Sequence, residues 1–350
     1  MTRMARTYLD YNATAPLAQA AKEAMIAAMD VVGNPSSVHG EGRIAKGLIE
    51  KARAQVSDAF GASSADIVFT SGATEAAALA LSGRGLACAD VEHEAVSSWC
   101  DSSLLVDRQG KITCTNPTLN AVQLANSESG VVQTLPEGLA VVDATQGFGK
   151  LPIAFNWMGC DMALISAHKL GGPKGIGALV LKQGLDVSAQ ILGGGQEMGR
   201  RSGTENLLGI VGFGAAAAAN AQEMANGVWE GIAEKRDLLQ ARLEDGADGI
   251  ICVGREAKRL PNTLSVITPD WKGETQVMQM DLAGFAVSAG SACSSGKVKS
   301  SRVLRAMGYS EIEASCAMRV SLGPETTTND IERFAKAWLS AYARWKQRAA

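Results

Sequence analysis

Aromatic residues are scarce in this chain, 5% of 350 positions, and only three histidines are present. Neither charge sign dominates, since 33 Lys and Arg stand against 36 Asp and Glu for a net charge of -3. Without a basic stripe, nucleic acid and anionic membrane surfaces are poor primary partners, because such binding depends on clustered cations facing phosphates. No uninterrupted apolar run approaches the roughly 20 residues of a membrane span. The opening residues, Met1-Thr2-Arg3-Met4-Ala5-Arg6-Thr7, lack the apolar stretch of a secretory signal, so a cytoplasmic protein is expected. The seven cysteines (Cys88, Cys100, Cys114, Cys160, Cys252, Cys293, Cys316) are odd in number and show no C-x-x-C spacing. That excludes a disulfide framework and a zinc knuckle, and no metal is expected. No Walker loop occurs. The run Gly171-Gly172-Pro173-Lys174-Gly175-Ile176-Gly177 resembles one only superficially and reads as a tight return into a sheet.

What is present is a globular composition, 46% hydrophobic and 20% charged, large enough for a sizeable core. The expected class is α/β: a large domain over 16–240 with a mostly parallel sheet flanked by helices, and a smaller α+β domain over 241–350, joined by residues 1–15. Helices are expected from Pro16 to about Val32 and from about Glu41 to Phe60, the second burying Ile44, Leu48, Ala52, Val56 and Ala59, with Gly61 as its C-terminal cap. A long Ala-rich helix starts near Val211. A terminal one, from about Asp330 to Lys346, carries a capping-box pattern in Asn329 and Glu332 and a core face of Ile331, Phe334, Ala335, Trp338, Leu339 and Tyr342.

Two segments carry the chemistry. Val141-Val142-Asp143-Ala144-Thr145-Gln146 and Ile165-Ser166-Ala167-His168-Lys169 each begin as a buried strand and stop on polar groups. Both clusters should therefore emerge on one edge of a parallel sheet, where ligands of open α/β sheets bind. A lysine beside an aspartate suits pyridoxal phosphate, which needs an amine for its aldehyde and an anion opposite its pyridinium nitrogen. The strand Ile67-Val68-Phe69-Thr70 followed by Ser71-Gly72-Ala73-Thr74-Glu75 gives a turn and a helix N-terminus, a ready phosphate site. Arg200-Arg201-Ser202-Gly203-Thr204 is a structural turn or a second phosphate contact. Cys293 differs from the other cysteines, because ten of the fifteen residues over 287–301 are Ser, Gly or Ala. The 288–301 segment thus reads as a mobile loop, with Lys297 and Lys299 favouring the thiolate. On composition alone, an ordinary linker is an equal reading.

Eight motifs in order resemble the group I cysteine desulfurases of the NifS/IscS type, a branch of the class V aminotransferases with the fold-type I pyridoxal-phosphate architecture. They are Tyr8-Leu9-Asp10-Tyr11-Asn12-Ala13-Thr14-Ala15-Pro16, Gly33-Asn34-Pro35-Ser36-Ser37-Val38-His39, Thr70-Ser71-Gly72-Ala73-Thr74-Glu75, Glu92-His93-Glu94-Ala95-Val96, Val142-Asp143-Ala144-Thr145-Gln146, Ser166-Ala167-His168-Lys169, Arg201-Ser202-Gly203-Thr204 and Gly290-Ser291-Ala292-Cys293. The resemblance implies that Lys169 carries the cofactor and shuttles a proton, that Asp143 pairs with the ring nitrogen, and that Gln146 bonds the phenolic oxygen. It further implies that Ala73, Thr74, Ser166 and His168 hold the phosphate, and that Thr204 reaches the cofactor phosphate of a second subunit in a homodimer. His93 would stack on the ring and act in acid–base steps, while Arg319, Asn126, Ser127 and Asn12 would meet the substrate, L-cysteine. Cys293 would take the substrate sulfur as a persulfide and pass it to an acceptor, an iron–sulfur scaffold protein by family resemblance. Ser127 stands where relatives carry a second asparagine, and the stretch between Leu81 and Asp143 is compressed. A selenocysteine lyase, a class V aminotransferase without need of Cys293, and a weakly active sulfur-relay or scaffold-binding protein are the alternatives.

Overall fold

The structure is a computed structural model that describes residues 6–290 and 300–349. Cys293, with Ser291 to Lys299, lies outside the described residues. A five-stranded sheet runs in the order Ala65–Thr70, Gly177–Lys182, Cys160–Ser166, Leu139–Asp143, Ala121–Gln123. Leu139–Asp143 is parallel to both its neighbours, whereas Gly177–Lys182 is antiparallel to both of its own. Four of the five strands therefore point the same way, and their C-terminal ends share one edge. The antiparallel strand is the return that the glycine run at 171–177 makes possible. Gly177 itself must be glycine: a Cβ there would fall 2.7 Å from the Ile165 carbonyl oxygen and 2.8 Å from Gly72 Cα.

The strands are apolar on both faces because both are covered. Ile67, Phe69, Val142, Ala163, Ile165, Ala178 and Val180 face one core with Ile49, Ala52, Val56, Ile210 and Phe213 from helices Gly40–Ala59 and Leu207–Ala225. Their alternates Val68, Val141, Met162, Leu164, Leu179 and Leu181 face another with Ala76, Ala77, Ala80 and Leu81 from helix Ala73–Leu81. This is the period-2 division expected of a sheet between helical layers. A four-stranded antiparallel sheet, Ile251–Cys252, Thr263–Ile267, Ala317–Ser321, Ser288–Ala289, builds a further core with helices Val228–Gly246 and Thr328–Ala349. The segment after Thr7 joins the two: Thr7–Tyr8 pairs with Phe285–Ala286, Asp10 bridges to Ser321, and Ala15 N–H donates to the His168 carbonyl.

Several sequence expectations change. The first helix is Gln19–Ala28, so Leu17 and Val32 lie outside it and are exposed. In Gly40–Ala59 the buried face is Ala45, Ile49, Ala52 and Val56, while Ile44 is 59% exposed. The Ala-rich helix ends at Ala225, and Gly227, at φ 73°, breaks it from Val228–Gly246. Thr327 and Asp330 form the reciprocal cap of the last helix, at 3.0 and 3.1 Å, in place of Asn329 and Glu332; Glu332 instead pairs with Arg242 at 2.8 Å. Its core face holds as expected, with Ile331, Phe334, Ala335, Trp338 and Tyr342 buried and Leu339 partly so. Among the described residues no helix is long and apolar enough to cross a membrane.

Candidate active site

Asp143, Gln146, Ser166, His168, Lys169, Ala73 and Thr74 all follow strand ends on the shared edge. Register brings them together: Thr70 lies opposite Gly177, Gly177 opposite Ser166, and Asp143 beside Leu164 and Gln123. Helix Ala73–Leu81 begins after Gly72 with no side-chain cap, leaving its first N–H groups for an anion. Asp143 accepts from Thr145 N–H through Oδ1 at 2.9 Å, so it caps its own turn, and among the described residues its second oxygen takes no hydrogen bond.

Asn12 is the hub. Its carbonyl accepts from Lys169 Nζ at 2.7 Å and from Gln146 Nε2 at 3.0 Å. Its Oδ1 accepts from Lys150 Nζ at 3.2 Å and Asn262 Nδ2 at 3.0 Å, and its Nδ2 donates to Thr263 Oγ1 at 2.8 Å and the Ser127 carbonyl at 3.0 Å. Lys169 also donates to the Ala13 carbonyl at 2.9 Å. Asn12 is thus saturated within the protein: it holds the amines in place and has no polar atom left for a substrate. Asn126 is saturated too. Its Oδ1 accepts from Glu128 and Ser129 N–H at 2.9 and 2.8 Å, and its Nδ2 donates to the Val91 carbonyl at 3.0 Å, so its amide builds a turn.

Arg319 was expected to meet a substrate carboxylate, and the structure gives it a carboxylate of its own. Its Nη2 donates to Asp10 Oδ1 at 2.7 Å and its Nη1 to the Ser127 carbonyl at 3.1 Å, while buried Nε has no partner among the described residues. Ser127 therefore contributes through its backbone. His93 is exposed and caps helix Glu94–Ser97, accepting from Ala95 N–H through Nδ1 at 3.1 Å, which leaves Nε2 outward. Thr204 lines a cavity of about 230 Å³ with Thr70, Ser71 and Arg201. Arg201 is tied to Glu75 at 2.8 Å.

The electrostatics favour an anionic guest. Burial, with Lys169, Lys174 and Lys150 nearby, pushes His168 down to about 4, so its imidazole is neutral and can donate one N–H. Lys150 is buried and its amine is driven well below the usual lysine range by burial, then by Lys169 and Arg319. Three residues here escaped the sequence reading as functional. Lys150 is one. Glu92 is another: it is 1% exposed, its Oε1 accepts from Gln123 N–H at 2.9 Å, and burial raises it well above the carboxylate range. The third is Glu128, pushed up to about 7 by burial. Glu92 opens one of the eight motifs without a role assigned to it, and the burial that gives all three their character is a tertiary property.

A mixed sheet with a lysine and an aspartate at its carboxyl edge, beside an uncapped helix N-terminus, defines the aminotransferase type of site. The chain belongs to the class V aminotransferase family, whose profile matches residues 7–101 and 101–334. Within that family it is similar to proteins named cysteine desulfurase. It is 39% identical over 372 residues to the one from Cereibacter sphaeroides, covering 94% of each chain. To cysteine desulfurase IscS 1 of Archaeoglobus fulgidus it is 37% identical, covering 93% of this chain and 94% of that one. A NifS-like protein from Rickettsia africae superposes with a TM-score of 0.88 at 33% identity, over 97% of this chain and 99% of the other.

Proposed function

We propose that this chain is a pyridoxal-phosphate-dependent cysteine desulfurase, which converts L-cysteine to L-alanine and hands the sulfur on as a persulfide of Cys293. The carrying observation is the convergence of Lys169 and Asp143 on one sheet edge in a chain so close to proteins named cysteine desulfurase. A further solved neighbour, at TM-score 0.75 and 29% identity, is described as SspA in complex with cysteine. The donor set fits the cofactor: N–H groups of the helix starting at Ala73, Thr74, Ser166 and neutral His168 suit its phosphate, and Asp143 suits a protonated ring nitrogen. When bound, pyridoxal phosphate supplies the electron sink that makes Cα–H and C–S bonds cleavable. Lys169 carries it and moves the proton at the substrate Cα, Gln146 donates to its phenolic oxygen, and His93 offers Nε2 for acid–base work. Arg319 supplies its unused N–H groups to a substrate carboxylate, and Cys293 takes the sulfur as nucleophile.

The working protein in this reading is a cytoplasmic homodimer, with Thr204 contributing to the second copy's phosphate site. Apolar side chains exposed at Ile26, Met29, Ile44, Leu192 and Met198 support a second copy. The sulfur goes to an iron–sulfur scaffold protein. The large unit of 16–240 holds the cofactor and the smaller unit carries the cysteine. The test is incubation with pyridoxal phosphate, L-cysteine and a thiol reductant. Equal alanine and sulfide are expected, both lost in Lys169→Ala together with the visible absorbance, and sulfide lost in Cys293→Ser. Wild type that makes neither product, or Cys293→Ser as fast as wild type, overturns the mechanism.

A further inference from the structure

Cys88 and Cys100 meet across the strands that flank the His93 turn. Strand Ala87–Ala89 runs parallel to Asp101–Val106, with Ala87 beside Asp101 and Cys88 beside Ser102. Cys100 stands two residues before Ser102, so the alternation of an extended chain puts Cys88, Ser102 and Cys100 on one face. Asp101 N–H donates to the Leu86 carbonyl at 2.9 Å, which brings the chain at Cys100 alongside residues 86–88. Cys88 Sγ lies 3.7 Å from Ser102 Oγ, and the two free thiols share a hydrogen bond. Cys88 is fully buried and Cys100 half-buried, so the pair has one side toward solvent. We propose that Cys88 and Cys100 form a redox site, a dithiol that a small peroxide converts to a disulfide, closing a covalent ring around residues 89–99.

A free cysteine is ordinarily a small apolar filler, and both residues do pack at the edge of the core beneath helix Ala73–Leu81. Packing accounts for their burial but not for thiols turned toward each other and toward a hydroxyl. The ring they would close is also a particular one. It contains Glu92, His93 and helix Glu94–Ser97, whose four residues are too few to hold a helix unaided. Cross-linking the two ends of that segment restricts all of it. The disulfide is independent of the cofactor reading, and only its bearing on His93 rests on that reading.

The hydrogen bond from Cys100 lowers the Cys88 thiol to about 7, against burial and Asp90 and with help from Ser102 and Arg302. The same bond, and then burial, raises Cys100. The pair therefore releases one proton near neutral pH and keeps the other between its sulfurs. Transfer of that proton across the S–H···S bond puts the thiolate, the attacking form, on half-buried Cys100, the sulfur nearer to solvent. Cys100 Sγ attacks one oxygen of hydrogen peroxide: an S–O bond forms, the O–O bond breaks, and hydroxide leaves and is protonated to water. Cys88 Sγ then attacks the Cys100 sulfur: the S–S bond forms, the S–O bond breaks, and a second water leaves with the Cys88 proton. The two thiols lose two electrons and two protons, and one peroxide becomes two waters.

The test uses the wild-type holoenzyme. Trypsin cuts after Arg84 and Arg108, and the segment 85–108 between them contains Cys88, Cys100 and no other cysteine. The protein is treated with a small excess of hydrogen peroxide, unfolded in iodoacetamide and digested without reduction. Segment 85–108 should be lighter by two hydrogens and carry no alkyl label. Cleavage at Asp90, Glu92 or Glu94 should leave its halves joined until dithiothreitol parts them. Amide hydrogen exchange over 89–99 should slow about tenfold in the oxidised protein and recover on reduction, because the closed ring curtails local opening. Cys88→Ser and Cys100→Ser should each abolish the link, and a variant that fails to fold leaves the wild-type measurement decisive. Both cysteines alkylated as free thiols after peroxide, or Cys100 gaining oxygens without a link, overturns the proposal. A link that leaves exchange over 89–99 unchanged overturns its restriction of the His93 turn.

Discussion

Replacing Glu128 by glutamine should flatten the pH dependence of stability. Its carboxyl is buried, and among the described residues Oε1 has no hydrogen-bond partner while the group interacts with the Ser301 hydroxyl. Gly290 is pressed against it, since a Cβ there would fall 2.2 Å from Oε1. Glu128 therefore meets Gly290 and Ser301, which stand on either side of the Cys293 segment. Burial raises its pKa from 4.5 to about 7, outweighing Ser301 and Arg319, which act in the other direction. A carboxyl that binds its proton more tightly when folded stabilises the fold in full below the unfolded value, and that stabilisation is lost as pH rises through the folded one. With these two pKa values, the loss between pH 5 and pH 8 is about 2.5 kcal/mol. His168, held down to about 4, works the opposite way: its contribution is present above the unfolded histidine value and is lost as pH falls through the folded one. The quantity to measure is therefore the difference between wild type and Glu128→Gln, in which His168 cancels. Denaturant unfolding followed by tryptophan fluorescence at pH 5, 6, 7 and 8 gives it. The variant, isosteric with the protonated acid, should gain about 2.5 kcal/mol on wild type over that range. Parallel curves would refute the reasoning, because they would mean that Glu128 ionises freely in the folded chain.

Asn12→Ala would remove one hydrogen bond each from Lys150 Nζ, Asn262 Nδ2 and Thr263 Oγ1, all of which now meet the Asn12 side chain. It should cost about 2–4 kcal/mol by denaturant unfolding and loosen Lys150, while Lys169 keeps the Asn12 and Ala13 backbone carbonyls. Glu197→Gln should cost about 3 kcal/mol in the same assay, because its carboxylate takes both Arg53 Nη atoms at 2.9 Å and Phe69 N–H at 2.9 Å, with its side chain 2% exposed. Gly177→Ala should push the 71–74 turn away from the end of Cys160–Ser166. Its readout is pyridoxal phosphate titration of the apoprotein, with affinity down at least tenfold, and binding at wild-type strength would contradict it.

The strand ends were legible because hydrophobic periodicity is local. Val141 to Gln146 and Ile165 to Lys169 each announce a buried strand and its polar exit, and the parallel register then brings Asp143 and Ser166 to one edge without further information. Helix boundaries were less legible where alanine runs through them: Gly227 interrupts an otherwise continuous helical composition, and only its positive φ marks the break. The sequence suggested Asn329 with Glu332 as a cap, yet Thr327 with Asp330 won because Glu332 reaches Arg242 across to helix Val228–Gly246. Site chemistry was legible in residue type and less so in role. Asn12 and Asn126 carry the right groups, but tertiary partners consume them, and Lys150 acquires its character only from being sealed in.

Ser127 illustrates the limit of reading roles from side chains. The departure from the asparagine of relatives suggests a weakened contact. Here, however, Asn12 Nδ2 and Arg319 Nη1 both converge on the Ser127 carbonyl, at 3.0 and 3.1 Å. A carbonyl is supplied by any residue, so the junction of the N-terminal segment, the Arg319 strand and the 126–129 turn survives the substitution. The same geometry accounts for Arg319 being only partly available: one N–H of Nη2 goes to Asp10 and one of Nη1 to Ser127, while buried Nε has no partner among the described residues. The Asp10 carboxylate already takes part of this guanidinium, and its Oδ2 is itself held by Ser288 Oγ at 2.8 Å, two residues before Gly290. Arg319 is thereby linked, through Asp10 and Ser288, to the residues that lead into the Cys293 segment.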